Sequence, residues 1–81
     1  MTFPLFVFAL DREIFAGEAE SLTVPSSEGE LQVLAQHTPV ISQLTEGDLL
    51  IRKEDGTEQK LPISGGVLKV KEKEVIVLAN L

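Results

Sequence analysis

Turn-forming residues interrupt this chain about every eight positions, and the stretches between them alternate apolar with polar side chains. Such spacing leaves no room for a helix, whose apolar stripe repeats roughly every 3.6 residues over ten or more positions. It predicts short strands instead. Residues 3–10 (FPLFVFAL) read as the first, with Pro4 near the start, where a missing amide proton is tolerated. Asp11-Arg12-Glu13 reads as a turn, and residues 14–16 as a short strand ending at Gly17. Residues 20–24 (ESLTV) place Leu22 and Val24 on one face, with Ser21 and Thr23 on the other. Residues 30–34, 40–44, 49–54, 58–63, 67–71 and 75–79 repeat the pattern.

Three breaks carry more specific expectations. Asp55-Gly56 between two strand patterns predicts a two-residue hairpin, because both central residues of that turn need positive φ. Ser64-Gly65-Gly66 predicts a sharp bend, and Glu72-Lys73 a charged hairpin. Nine or ten strands in 81 residues predict a single all-β domain, about ten-stranded, built as a β-sandwich or flattened barrel.

A domain this short buries only ~60% of the surface its unfolded chain exposes. There is no Cys to staple it. With 7 Lys+Arg against 13 Asp+Glu, the net charge of −6 repels phosphate backbones, and Phe is the only aromatic residue available for stacking on bases. Nucleic acid is therefore not an expected partner. The apolar run at residues 3–10 falls far short of the ~20 residues that span a bilayer. It also lacks the cationic start and the cleavage site of a signal peptide. A soluble domain that meets membranes only through a partner is expected.

Residues 24–39 (VPSSEGELQVLAQHTP) concentrate the turn chemistry and the single His. His37 alone cannot seed a zinc site. Glu28 and Glu30 lie two apart, but acid–base work needs burial to raise one pKa, and an SSEGE turn is expected to be solvated. No elbow motif surrounds Ser26, Ser27, Ser42 or Ser64, which disfavours a small hydrolase using His37. Ser64-Gly65-Gly66 lacks the Lys and following helix of a phosphate loop, and reads as a bend that excludes a Cβ. No catalytic, cofactor or metal residues are expected. From its residues alone, the chain reads as a small acidic protein-binding module.

Residues 17–51 (GEAESLTVPSSEGELQVLAQHTPVISQLTEGDLLI) resemble the epsilon subunits of F-type ATP synthases, called delta in mitochondria. Residues 63–79 (ISGGVLKVKEKEVIVLA) match a second signature of that family at the correct distance. The resemblance implies a non-catalytic central-stalk subunit without a cofactor. Such a sandwich would pack against gamma and stand on the polar loops of the c-ring, helping to couple ion-driven rotation to ATP synthesis. It would sit on the cytoplasmic face of the inner (plasma) membrane as part of the complex.

Carried over by position, Glu30 of the EGEL turn matches the acidic residue that meets the c-ring loops, with Glu28, Gly29 and Leu31 completing the turn. His37 matches a histidine at the same lower end, near gamma and the ring, and Ser64, Gly65 and Gly66 match a structural bend. The family's carboxy-terminal helical hairpin is expected to be absent from residues 1–81. Gln36 stands where many members have Gly, and Asn80 where Asp is common. A face meant for gamma should show an apolar patch. The alternative is an unrelated β-sandwich adaptor or ligand-binding module, which would carry its own apolar cleft.

Overall fold

Alternation turns into architecture through cross-strand pairing. The computed structural model describes residues 1–81. Nine strands follow in order: β1 (Phe3–Ala9), β2 (Arg12–Ala19), β3 (Ser21–Ser26), β4 (Gly29–Leu34) and β5 (Val40–Leu44). They continue as β6 (Gly47–Arg52), β7 (Glu58–Ile63), β8 (Gly65–Val70) and β9 (Val75–Asn80). Together they form one sheet in the order β2-β1-β9-β8-β5-β3-β6-β7, with β4 also paired to β3. All neighbours are antiparallel except β1 and β9.

The sheet curls at β3. One edge of β3 pairs with β4 along its whole length. The other edge divides: Ser21 to Thr23 pair with β6, while Ser26 pairs with Leu44 of β5. Pro25 sits at the handover, where its lack of an amide proton leaves no donor stranded. Its carbonyl still accepts from the Thr45 amide at 3.0 Å. The start of β6 passes so close that a Cβ on Gly47 would lie 2.9 Å from the Pro25 ring.

Curling brings β2, β1, β9, β8 and β5 opposite β4, β3, β6 and β7 over one core of 16 buried apolar residues. Every strand contributes to it. Phe3, Leu5 and Val7 enter from β1, Leu22 and Val24 from β3, and Leu49 and Ile51 from β6. Leu68 and Val70 of β8 face Val75, Val77 and Ala79 of β9. Burying each such side chain contributes ~1.5–3 kcal/mol, which is where a chain without Cys finds its stability. No buried side-chain nitrogen or oxygen lacks a hydrogen-bond partner.

The all-β sandwich expectation holds, with nine strands. The details depart from the expected strand limits and turns in several places. β2 begins at Arg12 and runs through Gly17 to Ala19, longer than the predicted 14–16. A bulge permits this: Val7 pairs with Phe15 and Phe8 with Glu13, so Ile14 is the extra residue. Ile14 and Phe15 therefore both pack towards the core. β8 starts at Gly65, so the break at Ser64-Gly65-Gly66 is confined to Ser64. The Asp55-Gly56 turn is not the two-residue type, since only Gly56 has positive φ, at 91°. The Gly56 amide donates to the Lys53 carbonyl and the Lys53 amide to the Thr57 carbonyl, giving a longer loop with Gly56 as its left-handed residue.

Two measurements probe these local devices. A Cβ on Gly66 would collide with the Leu78 carbonyl, whereas one on Gly65 meets nothing closer than 3.5 Å. Urea denaturation is expected to show Gly66→Ala losing about 3 kcal/mol and Gly65→Ala about 1 kcal/mol or less. Equal losses would contradict the register at β9. In the β6–β7 loop, the Asp55 carboxylate accepts from the Thr57 hydroxyl at 2.7 Å and the Thr57 amide at 2.9 Å. These bonds, the hydroxyl's first, hold its pKa below the usual carboxylate value. The folded pKa lies below the unfolded one, so the stabilisation is present above about pH 3.9 and fades as pH falls through the folded value. In an NMR titration, Thr57→Val is expected to move the Asp55 midpoint upwards; an unmoved midpoint would rule out the hydroxyl's role.

Candidate functional site

The β3–β4 hairpin is built by its own small residues. Ser26 and Gly29 close it as a cross-strand pair, leaving Ser27 and Glu28 at the tip. The Ser26 hydroxyl donates to the Gly29 carbonyl and accepts from the Glu28 amide. Gly29 has φ 112°, and nothing lies within 4 Å of where its Cβ would be. Torsion, not space, therefore selects glycine there. Leu31 packs against the core, while the Glu28 and Glu30 side chains project into solvent. The tip is pinned to β5 through the Ser27 amide and the Gln43 carbonyl at 3.1 Å.

That pinning gathers other segments at the same end. The β5–β6 turn follows directly from Leu44, the partner of Ser26, so Glu46 joins Glu28 and Glu30 there. The sequence pattern ends one strand at residue 44 and resumes at 49, and does not single out Glu46 between them. The signal it lacked was the long-range Ser26–Leu44 bridge. Ser64, Gly65 and Gly66 also lie at this end, since Gly66 pairs with both Leu44 and Ala79. The Ser64 amide and hydroxyl both donate to the Asn80 carbonyl, at 2.7 and 3.1 Å, which squares the corner.

His37 is placed elsewhere. Glu30 pairs with Pro25 at one end of β4, and Leu34 with Ser21 at the other. Four residue steps at roughly 3.4 Å separate them by about 14 Å. The His37 amide donates to the Leu34 carbonyl at 3.2 Å, which fixes the imidazole beyond that far end. Glu30 and His37 are thus not brought together locally, since they flank opposite ends of β4. Half-buried His37 sits with Nδ1 2.8 Å from the Thr38 carbonyl, in a loop that leads straight into β5.

The two outer faces of the sandwich differ in kind. Over β4, β3, β6 and β7 it is mainly polar: Gln32, Thr23 and Lys60 share it with Leu34 and Leu50, and Arg52 donates twice to Glu58 Oε2, at 3.0 and 2.7 Å. Over β1, β9, β8 and β5 it is largely apolar. Register sets Phe6 beside Ile76, Phe8 beside Leu78 and Leu78 beside Val67. The Phe6 and Phe8 rings stack with centroids 6.5 Å apart. Ile41 is 69% exposed and Leu78 54%, so this is the apolar patch the sequence led us to expect. The widest groove, about 490 Å³, opens between β5, β8 and β9. Its apolar lining is limited to Ile41, Leu44 and Val67, alongside Ser42, Gln43, Ser64 and Asn80. That mixed, open groove does not resemble the apolar cleft of a ligand-binding module.

Comparison with known proteins places the fold. Residues 2–81 match the family described as ATP synthase, Delta/Epsilon chain, beta-sandwich domain. The ATP synthase epsilon chain of Psychrobacter sp. is 46% identical over 74 residues, covering 91% of this chain and 54% of that protein. The epsilon chain of Dichelobacter nodosus is 37% identical over 78 residues, covering 96% and 54%. The chain thus spans about half the length of these relatives. Among solved structures, a chain of the Euglena gracilis mitochondrial ATP synthase, in an OSCP/F1/c-ring assembly, superposes with a TM-score of 0.91. It is 29% identical, and the match covers 96% of this chain and 50% of that one.

The loop before His37 yields a direct test. Gln36 has φ 65°, the one non-glycine residue with positive φ, at the position where a glycine is common in the family it resembles. Gln36→Gly is expected to stabilise the fold by roughly 0.5–1 kcal/mol, read as a raised urea midpoint with unchanged slope. A lowered midpoint would mean that the side chain holds the loop.

Proposed function

The chain belongs to the ATP synthase delta/epsilon family of β-sandwich domains, and on that footing we propose that it is a non-catalytic central-stalk subunit of an F-type ATP synthase. In this reading residues 1–81 are the epsilon-type sandwich domain. The acidic end, with Glu28, Gly29, Glu30 and Leu31, stands on the polar loops of the c-ring. The apolar outer face over β1, β9, β8 and β5 packs against gamma, and His37, in the loop leading to β5, belongs to the gamma side. The protein meets the membrane only through the complex, on the cytoplasmic face.

The observation that carries this reading is the presence of two unlike surfaces on one stiff body. Of 47 main-chain hydrogen bonds, 39 lie within the strands, so little of the backbone is free to bend. A close-packed core of this kind resists deformation when torque passes through it. An apolar sheet face supplies contact area, whereas exposed carboxylates at the end set register and partner choice more than affinity. No helix of the structure is long and apolar enough to cross a membrane.

The test pairs binding with coupling. The chain is expected to co-purify with its cognate gamma subunit at micromolar concentration. Glu30→Lys, introduced into the assembled enzyme, should leave gamma binding intact and lower the coupling of ATP hydrolysis to ion pumping. If gamma is not bound, the family likeness extends to fold alone and the adaptor reading takes its place. Unchanged coupling would remove the ring from the acidic end.

A further inference from the structure

The apolar outer face carries one cation near its middle. Cross-strand register places Lys69 of β8 directly between Ile41 of β5 and Ile76 of β9, with Phe6 next beyond Ile76. Val67, two residues earlier on β8, shares the face, as strand alternation requires. Of the seven Lys and Arg residues, four are engaged within the chain. Arg12, Arg52 and Lys71 form ion pairs, and the Lys53 ammonium lies 5.5 Å from a phenylalanine ring centre. Lys69 has no carboxylate within ion-pairing distance, although the chain carries 13 acidic residues.

Resting on the reading that this face packs against gamma, we propose that Lys69 sets the docking register by pairing with a carboxylate that the partner presents within an otherwise apolar surface. In the free protein water solvates the ammonium, and the four-carbon stem can lie along its isoleucine neighbours. Covering the face removes that water. An ammonium pressed against hydrocarbon loses its hydration with nothing in return. A partner seated here must therefore bring an anionic oxygen to Lys69. Such a pair adds little net affinity over an apolar isostere, but it penalises every misaligned seating and every partner without the acid. On a protein of net charge −6, it also provides a local site of attraction for an acidic group.

Binding of the cognate gamma subunit to the whole chain, by titration calorimetry, separates the possibilities. Lys69 is exposed, so its replacements are expected to fold, checked by circular dichroism. Lys69→Met should weaken binding about tenfold, because the partner's carboxylate is left buried without a counter-charge. Lys69→Glu should weaken it further, and reversal of one gamma Asp or Glu to Lys should restore it. Leu78→Asp reports on the face itself and should abolish binding. If Leu78→Asp abolishes binding but Lys69→Met binds equally or more tightly, the partner offers no carboxylate; the proposal falls and the stalk reading stands. Leu78→Asp without effect overturns the proposal by placing gamma elsewhere. Failure of the unaltered chain to bind gamma overturns both.

Discussion

Everything in this domain depends on how one strand shares its hydrogen bonds. β3 gives one edge entirely to β4 and divides the other between β6 and β5. A single sheet becomes two facing layers because those two partners leave β3 in different directions. The division requires a residue that makes no demand for a donor's partner at the parting point, and Pro25 supplies it. It also requires close passage of β6 over that ring, which a side chain on Gly47 would obstruct. The core then follows, since closing the layers is what removes Leu22, Val24, Leu49 and Ile51 from water.

The same closure sorts the outside. Both layers alternate, so each has an outer row of side chains, yet only one of those rows is mainly polar. Arg52, Glu58, Lys60, Gln32 and Thr23 make the β4-β3-β6-β7 exterior an ordinary wetted surface. Phe6, Ile76, Leu78, Val67 and Ile41 make the opposite exterior one that water covers poorly. A body of this shape has an inside, an outside, and a side awaiting cover. The acidic hairpin tips at one end add a third kind of surface.

Much of this was legible in the amino-acid pattern. Leu22 and Val24, Leu68 and Val70, and Val75 and Val77 are buried where period-two alternation puts them. What escaped were features set by contacts between distant residues. Ile14 and Phe15 violate alternation because a bulge inserts one of them against β1. Gly47 and Asp48 fall between the strands expected at 40–44 and 49–54 but form the start of β6, because Ile63 and Pro62 pair with them. Among the candidate site residues, the hairpin Glu28 to Leu31 is local and was found intact. That Glu30 and His37 flank opposite ends of β4 was not legible, since a match to a motif records order along the chain and not which end of a strand each residue occupies. Glu46 joined the acidic end only through the Ser26–Leu44 bridge.

The one parallel pairing in the sheet has a consequence for how the molecule comes into being. β9, the last strand, lies between β1 and β8. A chain emerging from its amino terminus presents β1 first, with Leu5 and Val7 ready to be buried and only the β2 hairpin beside them. The seat next to β1 stays vacant until residues 75–78 arrive. Early segments cannot settle into a finished layer and pass the result forward, because the middle of that layer is made last. That layer therefore closes only once residues 75–78 are present, and until then the most apolar strand has one unguarded edge.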